Sequence, residues 1–87
     1  MTVVERRLVV TEEAGLHARP ATAFAQIAAR AAADVTVARD DGHEVPARSV
    51  LSQMTLNIRC GDALVLRASG ADAESTLDAI AEIAAPA

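Results

Sequence analysis

Three runs rich in valine and other β-branched residues constrain the fold of this chain more than any other feature. The runs are Val3 to Val10, Asp34 to Arg39 and Ala63 to Ala68. β-Branched side chains pack well on a pleated surface and are enriched in strands. Each run therefore predicts a strand.

A fourth strand is predicted from a turn. Asp40-Asp41-Gly42 is a turn signal, and residues His43 to Ala47 follow it as a hairpin partner of the second strand. Pro46 has no N–H to donate, which indicates a sheet edge or the end of a strand.

Two alanine-rich segments, Ala18 to Ala33 and Asp72 to Ala85, are predicted to be helices because their apolar residues recur at three-and-four spacing. A short apolar helix is expected to open at Val50. The order strand, helix, strand, strand, short helix, strand, helix predicts an α+β fold with helices on one face of an antiparallel sheet. The apolar faces of the two longer helices consist of Phe24, Ile27, Ala28 and Ala31, and of Leu77, Ile80, Ala81 and Ala84.

Length and charge exclude several functional classes. Eighty-seven residues bury a modest core and predict a single domain over residues 1–87, without a large enclosed active site. The formal net charge is −4 and the eight basic residues, all arginine, form no cluster, so neither nucleic acid nor an acidic membrane is an expected partner. Phe24 is the only aromatic residue, which argues against recognition of bases by stacking.

The N-terminal segment and the single cysteine indicate where the chain acts. Residues 1–10 carry Glu5, Arg6 and Arg7 among their apolar residues, so they predict neither a secretory signal nor membrane insertion, and a cytoplasmic location is expected. Cys60 has no partner for an intramolecular disulfide and is expected to be a small, partly buried residue.

The segment Gly15-Leu16-His17-Ala18-Arg19-Pro20-Ala21 carries the chemistry. The first N–H groups of a helix lack intrahelical partners, and the helix dipole is positive there, so the backbone of Ala18 and Arg19 is expected to stabilise an anion on His17. Arg19 adds a bidentate donor. A neutral imidazole is a nucleophile at cellular pH, so the hypothesis is that His17 accepts a phosphoryl group.

Two further stretches match a known pattern at family-like spacing: Arg48 to Leu56, a serine opening a short apolar helix, and Ala68 to Ala73, which leads into the last helix. Together with the histidine segment they resemble the HPr family, the histidine-containing phosphocarriers of the bacterial phosphoenolpyruvate-dependent sugar phosphotransferase system (PTS). The resemblance implies an open-faced sandwich, with a four-stranded antiparallel sheet and three helices on one face.

The resemblance also implies a mechanism. His17 would be phosphorylated on Nδ1 by phosphorylated enzyme I and would pass the group to a histidine of a sugar-specific enzyme IIA, with Arg19 as its electrostatic partner. The chain would then be a phosphotransfer intermediate without a cofactor, rather than a stand-alone enzyme.

The same resemblance implies an apolar docking surface for enzyme I and enzyme IIA, formed by the short helix and the exposed side of Thr22 and Phe24. On the short helix the candidates are Val50, Leu51 and Met54, for which the alternative is that all three face the core. Unbranched Met54 suits a surface that must fit several partners.

Ser49 has two compatible interpretations. Serine is a preferred helix N-cap, and Ser49 precedes the helix that opens at Val50. The resemblance adds that an ATP-dependent kinase, the HPr kinase/phosphorylase, modifies this serine in some branches of the family. Phosphate there would place about two negative charges beside the docking surface.

Several alternatives stay open. Relatives of this type also serve a nitrogen-related phosphotransferase system or a dihydroxyacetone kinase, and others bind proteins without transferring phosphate. Asn57 stands where many relatives have glycine and is expected to adopt a left-handed backbone.

No metal site is predicted. His43 is expected to be a solvated turn residue, and the pair of His17 and His43 lacks a third ligand. We expect a monomer.

Overall fold

The computed structural model describes residues 3–13, 15 and 18–86. These residues form four strands and three helices. In chain order they are β1 (Val3–Val9), α1 (Ala18–Arg30), β2 (Asp34–Arg39), β3 (Glu44–Pro46), α2 (Val50–Met54), β4 (Ala63–Ser69) and α3 (Ala73–Ala84). Within these described ranges, no helix combines the length and the apolar character that crossing a membrane requires.

The strands form one antiparallel sheet in the order β1-β4-β2-β3. Ser69 of β4 lies between Val3 of β1 and Asp34 of β2, so the central strand aligns both of its neighbours. Pro46 lies on the edge strand β3, as its missing N–H predicts. The predicted α+β open-faced sandwich is confirmed.

The core lies between the sheet and the helices. α3 packs against β1 and β4, and α1 packs against α3 and α2. Both the sheet and the helices contribute fully buried side chains. In the strands, buried residues alternate with more exposed ones because successive side chains point to opposite faces of the sheet. The largest are Phe24, Leu56, Leu64, Leu66, Leu77, Ile80, Gln53 and Val37.

The opposite face of the sheet carries ion pairs that join different strands or the turn after β2. The Arg7 guanidinium donates to both carboxylate oxygens of Asp40, at 3.0 and 2.9 Å, and holds the pKa of that carboxyl below its usual value. Arg67 pairs with Glu5 at 3.0 Å and with Glu44 at 3.4 Å. Exposed pairs of this kind add little stability, but they keep this face polar.

The predicted boundaries require small corrections. β1 ends at Val9 rather than Val10, β4 runs to Ser69, β3 spans three residues rather than the five predicted, and α3 is one residue shorter at each end. The largest difference is the end of α1, which stops at Arg30 instead of Ala33.

A distant side chain explains the early end of α1. The Asp72 carboxylate accepts the N–H groups of Ala32 and Ala33 at 3.0 and 2.8 Å. Gly70 approaches Ala33 so closely that a Cβ at residue 70 would lie 2.8 Å from the Cα of Ala33. α1 therefore ends, and the chain enters β2, at the point where residues 70–72 contact Ala32 and Ala33.

Asp72→Asn is expected to lower the free energy of unfolding at pH 7. The N–H groups of Ala32 and Ala33 hold the pKa of Asp72 below its usual value, because they bond to the ionised form. The contribution is therefore present above the unfolded-state pKa, about 3.9, and is lost as the pH falls through the folded-state pKa. Urea unfolding of both proteins at pH 7 and below about pH 3 should show the difference shrinking in acid. Asp34→Asn, at an exposed carboxylate, is the control.

Candidate functional site

The start of α1 is the centre of the candidate site. α1 begins at Ala18, as predicted, so the backbone N–H groups of Ala18 and Arg19 belong to the first turn and have no intrahelical acceptor. Arg19 is exposed, Pro20 is buried, and the first turn contains no acidic residue. His17 lies outside the described residues, so its phosphorylation stays a prediction.

The backbone of Gly15, which precedes α1, lies close to the backbone of Ile58 and Arg59. Its φ is 70°, in the left-handed region, and its N–H donates to the Glu12 carbonyl at 2.9 Å. A Cβ at residue 15 would lie 2.7 Å from the Cα of Arg59 and 2.8 Å from the carbonyl oxygen of Ile58. Only a residue without a side chain fits this approach.

Gly15→Ala is expected to cost about 2 kcal/mol of stability, because it combines left-handed backbone strain with a clash against backbone atoms that cannot rotate away. It should also displace the loop that leads into α1. Gly61→Ala is the matched control, since its φ is 94° and nothing lies within 4 Å of the added Cβ. Urea unfolding of the two variants separates the cost of backbone strain from the cost of the clash. Equal losses of stability in Gly15→Ala and Gly61→Ala would contradict a clash between residue 15 and the backbone of Ile58 and Arg59.

Ser49 caps α2. Its side-chain oxygen accepts the N–H of Ser52 at 3.1 Å, and its hydroxyl donates to the Ser52 hydroxyl oxygen at 2.9 Å. The predicted capping role is confirmed, and phosphorylation of Ser49 stays a prediction.

The end of α2 is held by a cation that the sequence pattern does not single out. Asn57 has a φ of 51°, which confirms the expected left-handed backbone. The Arg39 guanidinium donates to the carbonyls of Leu56 and Asn57 at 2.7 and 3.2 Å and lies 3.8 Å from the Asp62 carboxylate. No local pattern indicates these contacts, because Arg39 belongs to β2.

α2 presents an apolar patch, which we define as Leu51 and Met54. Their relative exposures are 82% and 42%, so both side chains point out of the core. Val50 is half-buried and packs against the core, and Thr22 on α1 is exposed. The expected exposure of Leu51 and Met54 is confirmed, whereas their docking role stays a prediction.

Phe24 is not part of this surface. Its side chain is 0% exposed, so the prediction that it contributes an exposed docking face is wrong. Phe24 shares the inward face of α1 with the buried Ala21 and Ala28, three and four residues away. Thr22 lies on another face of the helix and stays exposed.

Gln53 is a buried polar residue that the sequence reasoning missed. Its Nε2 donates to the carbonyls of Ala21 in α1 and Ala47 before α2, at 3.1 and 2.6 Å. Its Oε1 is buried and has no hydrogen-bond partner in the part of the chain that the structure describes. In the sequence, only its spacing indicates burial, because Gln53 lies three residues before the buried Leu56 and so shares its side of the chain. Gln53 therefore ties α2 to α1.

The remaining reactive side chains do not assemble into a site. Cys60 is exposed, not partly buried as predicted, because it lies at a turn. His43 is exposed, as expected, and its backbone N–H donates to the Asp41 carboxylate at 3.0 Å. Among residues 3–13, 15 and 18–86, no group of three or more His, Cys, Asp or Glu side chains is arranged to hold a metal ion.

Comparison with known proteins connects this geometry to a family. The family model described as the PTS HPr component phosphorylation site matches residues 4–85. The chain belongs to the HPr family. Proteins of this family are phosphocarriers that act within the PTS.

Three similar proteins illustrate the relationship. Phosphocarrier protein HPr of Haloferax volcanii is 42% identical over 81 residues, covering 92% of this chain and 91% of the relative. Phosphocarrier protein NPr of Shewanella violacea is 36% identical over 80 residues, covering 92% and 87%. The crystal structure of HPr from Bacillus anthracis str. Ames superposes with a TM-score of 0.89 at 37% identity, covering 97% of this chain and 99% of that one.

Proposed function

We propose that this HPr-family chain accepts a phosphoryl group on His17 from phosphorylated enzyme I and donates it to a histidine of a sugar-specific enzyme IIA. The observation that carries the proposal is the start of α1 at Ala18, directly after His17 in the chain, with exposed Arg19 in an acid-free first turn. Free N–H groups, the helix dipole and a guanidinium all stabilise an anion at this position.

Each transfer exchanges one N–P bond for another. The Nδ1 lone pair of His17 attacks phosphorus as the bond from phosphorus to the donor histidine breaks, and that histidine recovers the electron pair. The second transfer repeats the exchange with enzyme IIA as acceptor. Such a reaction needs mainly alignment and charge stabilisation, so a shallow site at a helix start suffices.

The proposed docking surface for enzyme I and enzyme IIA consists of the patch of Leu51 and Met54 on α2 and the exposed Thr22 on α1. Leu51 and Met54 are both exposed on one short helix, so together they offer apolar surface that a partner can bury. Val50 supports the patch from its half-buried position. Gln53 keeps α2 in register with α1, so docking and phosphoryl transfer occur on one rigid unit.

Ser49 is the proposed site of a regulatory kinase. A phosphate at the N-cap retains an acceptor for the Ser52 N–H, so the helix survives the modification. The added charge lies two residues from exposed Leu51, where it opposes the burial of apolar surface against a partner.

The single-domain organisation over residues 1–87 and the monomeric state are part of this proposal. A carrier that presents one face to successive partners must leave that face open. The similarity to NPr of Shewanella violacea favours, as the second candidate, a carrier of a nitrogen-related phosphotransferase branch with the same chemistry on His17.

The test is intact-mass analysis after incubation with phosphoenolpyruvate, Mg²⁺ and purified enzyme I. Wild type and Ser49→Ala should each gain one acid-labile phosphate, whereas His17→Ala should gain none. Failure of wild type with an active cognate enzyme I would leave a protein-binding module as the better account. Comparing transfer from the phosphorylated chain to a sugar-specific and a nitrogen-related enzyme IIA would separate the two branches.

A further inference from the structure

The one buried residue of α2 is polar. Of the five residues Val50–Met54, only Gln53 is buried, and its side chain is 0% exposed. A helix this short is marginal by itself in water, so its position depends on tertiary contacts. Such contacts usually come from an apolar face, whereas the buried side chain here ends in an amide. α2 is therefore attached to the rest of the molecule by a directional, hydrogen-bonding group.

Both N–H groups of the Gln53 amide bond to other segments of the chain. Nε2 donates to the Ala21 carbonyl in α1 at 3.1 Å and to the Ala47 carbonyl before α2 at 2.6 Å. Ala47 is itself fixed to the sheet, because its N–H donates to the Val35 carbonyl of β2 at 3.0 Å. Hydrogen bonds weaken steeply when their angles change, so two bonds from one planar amide restrict the rotation of α2 about its own axis.

The oxygen of the same amide is orphaned. Oε1 is buried and has no hydrogen-bond partner among the residues that the structure describes. A buried acceptor without a partner costs free energy, and an apolar side chain of similar volume would avoid that cost. Stability alone therefore does not explain an amide at this position. In some proteins a buried polar group instead selects one packing arrangement among several.

The rotation of α2 decides whether the patch of Leu51 and Met54 is exposed. Successive residues of an α-helix are about 100° apart, so Met54 lies about 100° and Leu51 about 160° from Gln53 around the axis. The exposures follow this order, at 0% for Gln53, 42% for Met54 and 82% for Leu51. A rotation of α2 by one residue in either direction would turn one of the two patch residues toward the core. The direction in which Gln53 points therefore determines the patch.

We propose that Gln53 is a positioning residue for partner recognition. Its two hydrogen bonds orient α2 so that Leu51 and Met54 face a partner together, although the buried amide touches no partner itself. This role rests on the proposed function, because it takes the patch as the docking surface for enzyme I. Loss of the amide should therefore affect docking more than stability.

The test compares wild type with Gln53→Leu, which keeps a similar volume but removes both hydrogen bonds, and with Leu56→Met as the control. Leu56 is buried just after α2, so its replacement changes the same part of the core and leaves the Gln53 amide in place. The N–H groups of residues 53 and 55 bond to the carbonyls of Ser49 and Leu51, so their hydrogen exchange reports the mobility of α2. Initial rates with phosphorylated enzyme I give KM and kcat for phosphoryl acceptance.

Gln53→Leu should accelerate the exchange of residues 53 and 55 and raise KM, each by about threefold to tenfold, the equivalent of one lost hydrogen bond. The kcat should stay within about twofold of that of wild type. The urea midpoint should stay close to that of wild type, because removal of the orphaned Oε1 and added apolar burial offset the two lost bonds. Leu56→Met should match wild type in the exchange of α2 and in KM.

Three outcomes would overturn the inference. Unchanged exchange at residues 53 and 55 would show that the amide does not hold α2. Faster exchange with an unchanged KM would separate the orientation of α2 from docking. A urea midpoint lowered in proportion to the faster exchange would make Gln53 an ordinary stabilising residue. If wild type accepted no phosphate from an active enzyme I, the proposed function would fail together with the docking role, whereas the exchange data would still show whether Gln53 orients α2.

Discussion

Leu51→Glu is expected to lower kcat/KM for phosphoryl acceptance from enzyme I by about tenfold to a hundredfold, the range typical of a central apolar interface contact. Leu51 is 82% exposed, so burying it against a partner gains much apolar contact, whereas a carboxylate there must be desolvated. The loss should appear mainly in KM, because the residue lies on α2 and not at the start of α1. Initial rates at varied concentrations of this chain measure both constants.

The matched control is Ala79→Glu, which adds the same charge at an exposed position of α3. It should leave kcat/KM near that of wild type. Urea unfolding should show that Leu51→Glu changes stability by less than about 0.5 kcal/mol, as is usual for surface positions. If Leu51→Glu and Ala79→Glu gave the same kinetics, the patch of Leu51 and Met54 would not be the docking surface.

Phe24→Ala is expected to lower the free energy of unfolding by about 3 to 5 kcal/mol. The ring is completely buried between α1 and the rest of the core, and its removal leaves a cavity that rigid neighbours fill only in part. A small domain has a total stability of about 5 to 15 kcal/mol, so this variant is expected to be close to unfolding at about 37 °C. Chemical unfolding followed by circular dichroism measures the change.

Phe24→Leu distinguishes a core role from a docking role. It keeps most of the apolar volume, so it should retain phosphoryl transfer at temperatures where it is folded. A tenfold loss of kcat/KM in folded Phe24→Leu would restore Phe24 to the partner surface.

The features that the sequence predicts well depend on local patterns. β2 has the predicted bounds, α1 begins at the predicted residue, Ser49 caps α2, and Asn57 adopts the left-handed backbone. In each case the deciding interaction lies within a few residues of the residue concerned. Capping side chains, β-branched runs and turn signals are therefore enough to predict these features.

The features that the sequence does not predict depend on contacts between distant segments. α1 ends early because Asp72 bonds to Ala32 and Ala33, which lie 40 and 39 residues before it. Gln53 reaches Ala21, 32 residues away. Phe24 is a different case, because its burial agrees with its place on the predicted apolar face of α1, and only the exposed docking role implied by the family resemblance is wrong.

The central position of β4 has a consequence for the synthesis of this protein. β4 ends at Ser69 and pairs with both β1 and β2, so until that stretch has left the ribosome β1 has no neighbouring strand and β2 has only β3. A helix as short as α1 is marginal on its own in water. The complete sheet therefore forms only after β4, the last of the four described strands, has been made.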